Sequence, residues 1–147
     1  MPAEPEPCRQ DGGGTSEPKL HHVGIIVRNE AQATMLLSIL GLREGHRHYV
    51  PEYEAECIFT EGGESRIELI VPRGGKLAQF NQGMGGLHHI AMEVDDLAAT
   101  SARLRSLGIQ LLEQTPVRAG DLLINFLPPV YTRGVIVEFV QRVGPES

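Results

Sequence analysis

The chain has 147 residues, of which 41% are hydrophobic and 22% charged, and its formal net charge is −6. That balance suits one globular domain, or two small halves sharing a core. With no Lys/Arg stripe it excludes nucleic acid as the main partner. No apolar run approaches the roughly 20 residues that span a bilayer, so no membrane partner is expected.

Residues 1–19 carry Pro, Glu and Gly with almost nothing to bury, and read as a disordered tail. They have neither the basic start nor the apolar stretch of a signal peptide. Cys8 and Cys57 make no disulfide framework, and free thiols suit a reducing cytoplasm.

The first ordered run is Leu20–Val27. Side chains alternate faces along a strand. Val23, Ile25 and Val27 therefore share one apolar face, and His22, Gly24 and Ile26 the other. Asn29 can cap a helix by accepting from the free N–H groups of its first turn. About three turns follow, carrying Met35, Leu36, Leu37, Ile39 and Leu40, and Gly41 ends them in the left-handed conformation. Three further strands are predicted at about Gly45–Val50, Ala55–Thr60 and Arg66–Val71, with a turn at Glu61-Gly62-Gly63-Glu64. His46 and His48 share a face and line either a pocket or a polar strand edge. Residues 73–86 form a linker with a short helix over Lys76–Gln82, between glycine pairs.

At Leu87 the pattern starts again. Leu87-His88-His89-Ile90-Ala91-Met92-Glu93-Val94 matches Leu20-His21-His22-Val23-Gly24-Ile25-Ile26-Val27, and the step from 22 to 89 is 67 residues. The same step carries Asn29 to Asp96, Leu40 to Leu107 and Gly41 to Gly108, so the match is an internal repeat. The second helix carries Leu97, Leu104 and Leu107. Strands are predicted at Gln110–Gln114, Leu122–Leu127 and Val135–Gln141, with a turn at Pro128-Pro129. The chain thus divides into a βαβββ module over 20–72, the linker, a second βαβββ module over 87–141, and a tail over 142–147.

Each module offers one histidine on its first strand and one glutamate on its last. Glu68 is out of phase with Ile67, Leu69 and Val71, and Glu138 with Val135, Val137 and Phe139. A carboxylate in an apolar strand is costly to bury unless paired with a cation. A single strand His or Glu is unremarkable, but both types recur in register. His22, Glu68, His89 and Glu138 therefore read as the four ligands of one divalent metal ion. Two imidazoles and two carboxylates suit Co, Ni, Mn, Zn or Fe better than Ca or Mg. His21 and His88 fall on the opposite strand face and read as structural.

These residues resemble the vicinal oxygen chelate superfamily, which includes glyoxalase I, bleomycin resistance proteins and extradiol dioxygenases. Most similar are the methylmalonyl-CoA epimerases, through His22-Val-Gly-Ile, Ile67-Glu68-Leu69 with Pro72, Gly86-Leu87-His88-His89-Ile90-Ala91, Glu93-Val94-Asp95-Asp96 and Gly134-Val135-Ile136-Val137-Glu138. The resemblance runs from about Leu20 to Gln141 and implies an α+β fold. In it, two βαβββ modules form a cup-shaped, eight-stranded mixed sheet with the metal on the concave side. It implies a cytoplasmic, metal-dependent isomerase, expected as a homodimer, acting on a small-molecule substrate of the acyl-CoA kind. The metal would stabilise an enolate while a base removes the α-proton. By the resemblance Glu56 is the first candidate base and Glu138, at the metal, the second. Where epimerases commonly carry His-Pro-Lys, this chain has Pro128-Pro129-Val130, so the substrate does not follow from the metal centre. A glyoxalase-I-type lactoylglutathione lyase is the alternative. By the resemblance its site forms across a dimer interface, whereas an epimerase site forms within one chain. A non-catalytic metabolite- or antibiotic-binding protein is the second alternative, set against the intact ligand set and 5% aromatic content.

Overall fold

The structure, a computed structural model, describes residues 17–61 and 66–144. Most of the tail expected over 1–19, most of the turn over 61–64 and half of the tail over 142–147 fall outside them, and Arg142 belongs to a strand. Among the described residues eight strands form one mixed sheet. These are β1 (Lys19–Ile26), β2 (Arg43–Val50), β3 (Ala55–Glu61), β4 (Ile67–Pro72), β5 (Gly86–Glu93), β6 (Val117–Ala119), β7 (Leu122–Leu127) and β8 (Val137–Arg142). Their spatial order is β2-β3-β4-β1-β5-β8-β7-β6. β1 runs parallel to β4 and β5 parallel to β8, while β1 and β5 meet antiparallel at the centre. The edge strands β2 and β6 touch, which curls the sheet into a nearly closed cup. The expected α+β architecture of paired βαβββ modules is therefore the one observed.

Two helices pack on the convex side, and their boundaries follow local chemistry. In α1 (Glu30–Leu40) the Asn29 side chain accepts from the Gln32 N–H at 2.9 Å, and Gly41 ends the helix at φ 70°. Only Ala33 is buried there, with Leu36 and Leu37 partly buried against Val27, Ile58, Leu69 and Val71. Met35 and Ile39 are 64% and 72% exposed. The 3.6-residue period turns them away from the sheet. A four-residue helix, α2 (Gly75–Ala78), and a 3₁₀ turn over Phe80–Gly83 occupy the linker. Continuous helix over Lys76–Gln82 is prevented by Asn81 and Gln82, whose φ values are 53° and 59°. In α3 (Leu97–Ser106) the Asp96 side chain accepts from the Ala99 N–H, and Leu97 and Leu104 pack with Val94 and Leu111.

One predicted strand is wrong. Gln110–Gln114 is irregular, and the short β6 lies farther on, at Val117–Ala119. Leu111 leaves the sheet plane to complete the α3 cluster, and Asn125 takes over the role of a strand neighbour. Its side chain accepts from the Glu113 N–H and donates to the Glu113 carbonyl, both at 2.9 Å.

Candidate metal centre

The central β1–β5 pairing brings the two half-sites together. Gly24 stands opposite His89 and His22 opposite Ala91, so the imidazoles meet over the seam between the modules. Glu68 enters from β4, beside β1, and Glu138 from β8, beside β5. The two imidazole Nε2 atoms are 3.1 Å apart. Glu68 Oε1 lies 3.4 Å from His22 Nε2 and 3.5 Å from His89 Nε2. Glu138 Oε1 lies 3.3 Å and 3.6 Å from the same atoms. All four residues are buried, His22 at 1% exposure and Glu68 at 6%.

The spacing can be tested against a cation. With bonds of about 2.1 Å, neighbouring donors stand about 3.0 Å apart in an octahedron and about 3.4 Å apart in a tetrahedron. The observed separations of 3.1 to 3.6 Å overlap that range and run slightly beyond it. His22, Glu68 and His89 offer donor atoms all within 4.8 Å of one another. These three donors and their spacing fit a divalent metal, and Glu138 lies beside both histidines.

Electrostatics agree. Burial alone would lower the His22 pKa, but hydrogen bonds and charge from Glu138 and Glu68 outweigh it and raise it to about 9. Burial would raise Glu68, yet the hydrogen bond from His22 and the His22 and His89 charges hold it below the usual carboxylate range. The site collects positive charge.

His21 and His88, expected on the opposite strand face, each meet the histidine that follows them. His21 Nδ1 is 2.7 Å from His22 Nδ1, and His88 Nδ1 is 2.8 Å from His89 Nδ1. Burial, then the neighbouring imidazole, lowers each to about 4. The repeated His-His pair was the signal in the sequence, and alternation along an unbroken strand concealed it.

Glu56 is not brought to the cluster. On β3 it pairs with Val71, on the helix-packed side of the sheet, and its carboxylate meets Arg73 at 2.9 Å and Arg47 at 3.7 Å. The β3 side chains on the concave face are Cys57 and Phe59, opposite Ile70 and Glu68. The register therefore places Glu56 away from the four clustered residues. Cys57 is buried, and burial, then the Glu68 and Glu138 charges, push its thiol far above the usual range.

A cleft of about 510 Å³ opens beside the cluster, lined among others by His89, Cys57, Tyr53, Phe126, Leu77 and Lys76. His46 and His48 line a separate hollow of about 760 Å³ near Arg118 and Asp121, which contains none of the four cluster residues. They stack with Phe59, whose edge meets the His22 ring.

A family model described as the Glyoxalase/Bleomycin resistance protein/Dioxygenase superfamily matches residues 21–126. The human mitochondrial methylmalonyl-CoA epimerase is 33% identical over 129 residues, covering 84% of this chain and 73% of the relative. The ethylmalonyl-CoA/methylmalonyl-CoA epimerase of Cereibacter sphaeroides is 32% identical over 130 residues, covering 84% and 97%. Among solved structures, a Streptomyces coelicolor methylmalonyl-CoA epimerase variant in complex with 2-nitronate-propionyl-CoA superposes with a TM-score of 0.76 at 26% identity. It covers 88% of this chain and all of that one.

Proposed function

We infer that this chain, which belongs to the glyoxalase/bleomycin resistance/dioxygenase superfamily and within it to the methylmalonyl-CoA epimerase family, inverts the α-carbon of a malonyl-type acyl-CoA. The observation that carries the reading is that all four ligand-type side chains converge within one chain. Nothing from a second subunit is needed to complete the set, as a glyoxalase-I arrangement would require.

An α-proton between a thioester and a carboxylate is acidified by the thioester carbonyl, onto whose oxygen the charge delocalises. A divalent ion held by His22, Glu68, His89 and Glu138 would stabilise the negative charge that develops on the thioester oxygen. Glu138 meets both histidines through Oε1. In this reading its carboxylate also takes the α-proton. Phe126, Leu77 and Ile70 give the cleft apolar walls, and Lys76 supplies a cation for an anionic substrate group. Delivery of a different proton to the opposite face, by a second acid or water in the cleft, would complete the inversion, while the proton on Glu138 is lost to solvent. Co, Ni, Mn, Zn or Fe suits the donor set. A cytoplasmic homodimer belongs to the same reading. The support for the dimer is the large apolar side chains left exposed, such as Met35, Ile39 and Leu87.

The test is incubation with methylmalonyl-CoA in deuterated water with each metal in turn. Deuterium is expected at the α-carbon, and Glu138→Gln should abolish its entry. Absence of exchange by metal-replete wild type overturns the reading. Light scattering checks the dimer, where a monomer at working concentration would refute it.

A further inference from the structure

We propose that His21 and His88 are positioning residues for the metal centre, each holding the ligand histidine that follows it by accepting that ligand's Nδ1–H. The inference rests on the metal reading of the site.

An imidazole that gives its Nε2 lone pair to a cation while neutral must carry its hydrogen on Nδ1. In both modules that Nδ1 faces another Nδ1, at 2.7 Å for His21–His22 and 2.8 Å for His88–His89. Only one hydrogen fits between two such nitrogens. With the ligands donating, His21 and His88 present lone pairs and carry their own hydrogens on Nε2. The four rings are thereby locked into one tautomer set with both ligand Nε2 atoms turned inward. Ligand histidines usually donate their second N–H to a carboxylate, carbonyl or water. Here an imidazole takes that place twice.

The backbone is built for this contact. Consecutive strand residues ordinarily point to opposite faces, so neighbouring side chains cannot bond to each other. The β1–β5 ladder, however, breaks twice. One register shift lies between Leu20 and His22, and the other between Gly24 and Ile25, where the partners step from His89 to Leu87. The residues skipped are His21 and His88. A bulge re-aims the side chain it carries, and each bulge falls on the residue before a ligand. The paired rings adopt matching edge-to-face poses, with centroids 5.0 Å apart in each pair at interplanar angles of 77° and 89°.

Beyond the rings the halves differ. His21 Nε2 lies 4.0 Å from Glu93 Oε1, and Glu93 also meets Arg142 and Lys19. His88 packs edge-on against Phe80 and lines the cleft. A carboxylate stands beyond His21 and an aromatic ring beyond His88.

The experiment is a chelator-competition titration of Co(II) on full-length wild type, His21→Leu, His21→Asn, His88→Leu and His88→Asn. Asparagine places an acceptor oxygen where histidine has Nδ1, and leucine fills the space without one. Each leucine variant should bind Co(II) about 10–100-fold more weakly, with a changed visible spectrum, and asparagine should restore most of the loss. Equal binding by the leucine variants overturns the proposal, as does equal loss in leucine and asparagine variants. Nitrogen NMR of Zn(II)-loaded wild type gives a check independent of variant folding. His21 and His88 should show the neutral Nε2–H form, and Nδ1–H on either overturns the assignment. Wild type that binds no metal would sink the metal reading itself, an outcome distinct from wild-type binding that the variants leave unchanged.

Discussion

Replacing Gly24 by alanine adds one methyl group at the most crowded point of the β1–β5 seam. An ideal Cβ there would stand 2.6 Å from His89 Nδ1 and 2.7 Å from Nε2, and closer still to Cε1. Ordinary contacts are about 3.5–4.0 Å, so the ring must retreat by roughly an ångström. It has little room, because His89 is 4% exposed and its Nδ1 is held by His88 at 2.8 Å. Gly24 does not occupy the left-handed region. Propensity alone would therefore favour alanine by about 0.5–1 kcal/mol. Overpacking costs about 1–3 kcal/mol and reverses that sign. Urea unfolding of the metal-free proteins should show Gly24→Ala destabilised by roughly 1–2 kcal/mol. Co(II) affinity should fall by at least about tenfold, because His89 Nε2 leaves its place. A variant at least as stable as wild type with normal metal affinity would refute the packing account.

Glu56→Gln should change the deuterium-exchange rate by less than about tenfold, because it loses only partly exposed ion pairs on the far side of the sheet. Complete loss of exchange would return Glu56 to the site. Metal-free protein should lose stability as pH rises from about 6.5 to about 9, because folded His22 holds its proton more tightly than the unfolded chain does. It should also lose stability as pH falls from 6.5 to about 4, because His21 and His88 take up protons more readily when unfolded. Thermal melts across pH check both arms, and a flat profile contradicts them. Asn29→Ala removes the cap on the Gln32 N–H and should cost about 1 kcal/mol in urea unfolding, with no change in metal affinity.

The modules and the four clustered residues were legible because two independent periods coincided. Alternation put His22, Glu68, His89 and Glu138 out of phase with apolar neighbours, and the 67-residue repeat paired them. Caps at Asn29 and Asp96 were legible because their chemistry is local. The face of β3 was not. Ala55, Cys57, Ile58, Phe59 and Thr60 are all buried, so the strand carries no alternation, and only its register with β4 reveals that Cys57 faces inward and Glu56 outward. The Gln110–Gln114 stretch looked like a strand because the side-chain bonds of Asn125 to Glu113 have no trace in local sequence. His21 and His88 were misplaced because the bulges that turn them inward belong to the pairing of two distant strands.

The antiparallel β1–β5 seam has an evolutionary consequence. Each module carries half of the donor set, and the halves meet about a pseudo-twofold relation. A lone module that paired with an identical copy along β1 would already close a two-histidine, two-glutamate centre. Fusing the copies through the 73–86 segment releases them from identity, so that each can mutate without changing its counterpart. Glu93 beside His21 and Phe80 beside His88 make the two halves unequal: His21 faces a carboxylate, and His88 opens toward the cleft.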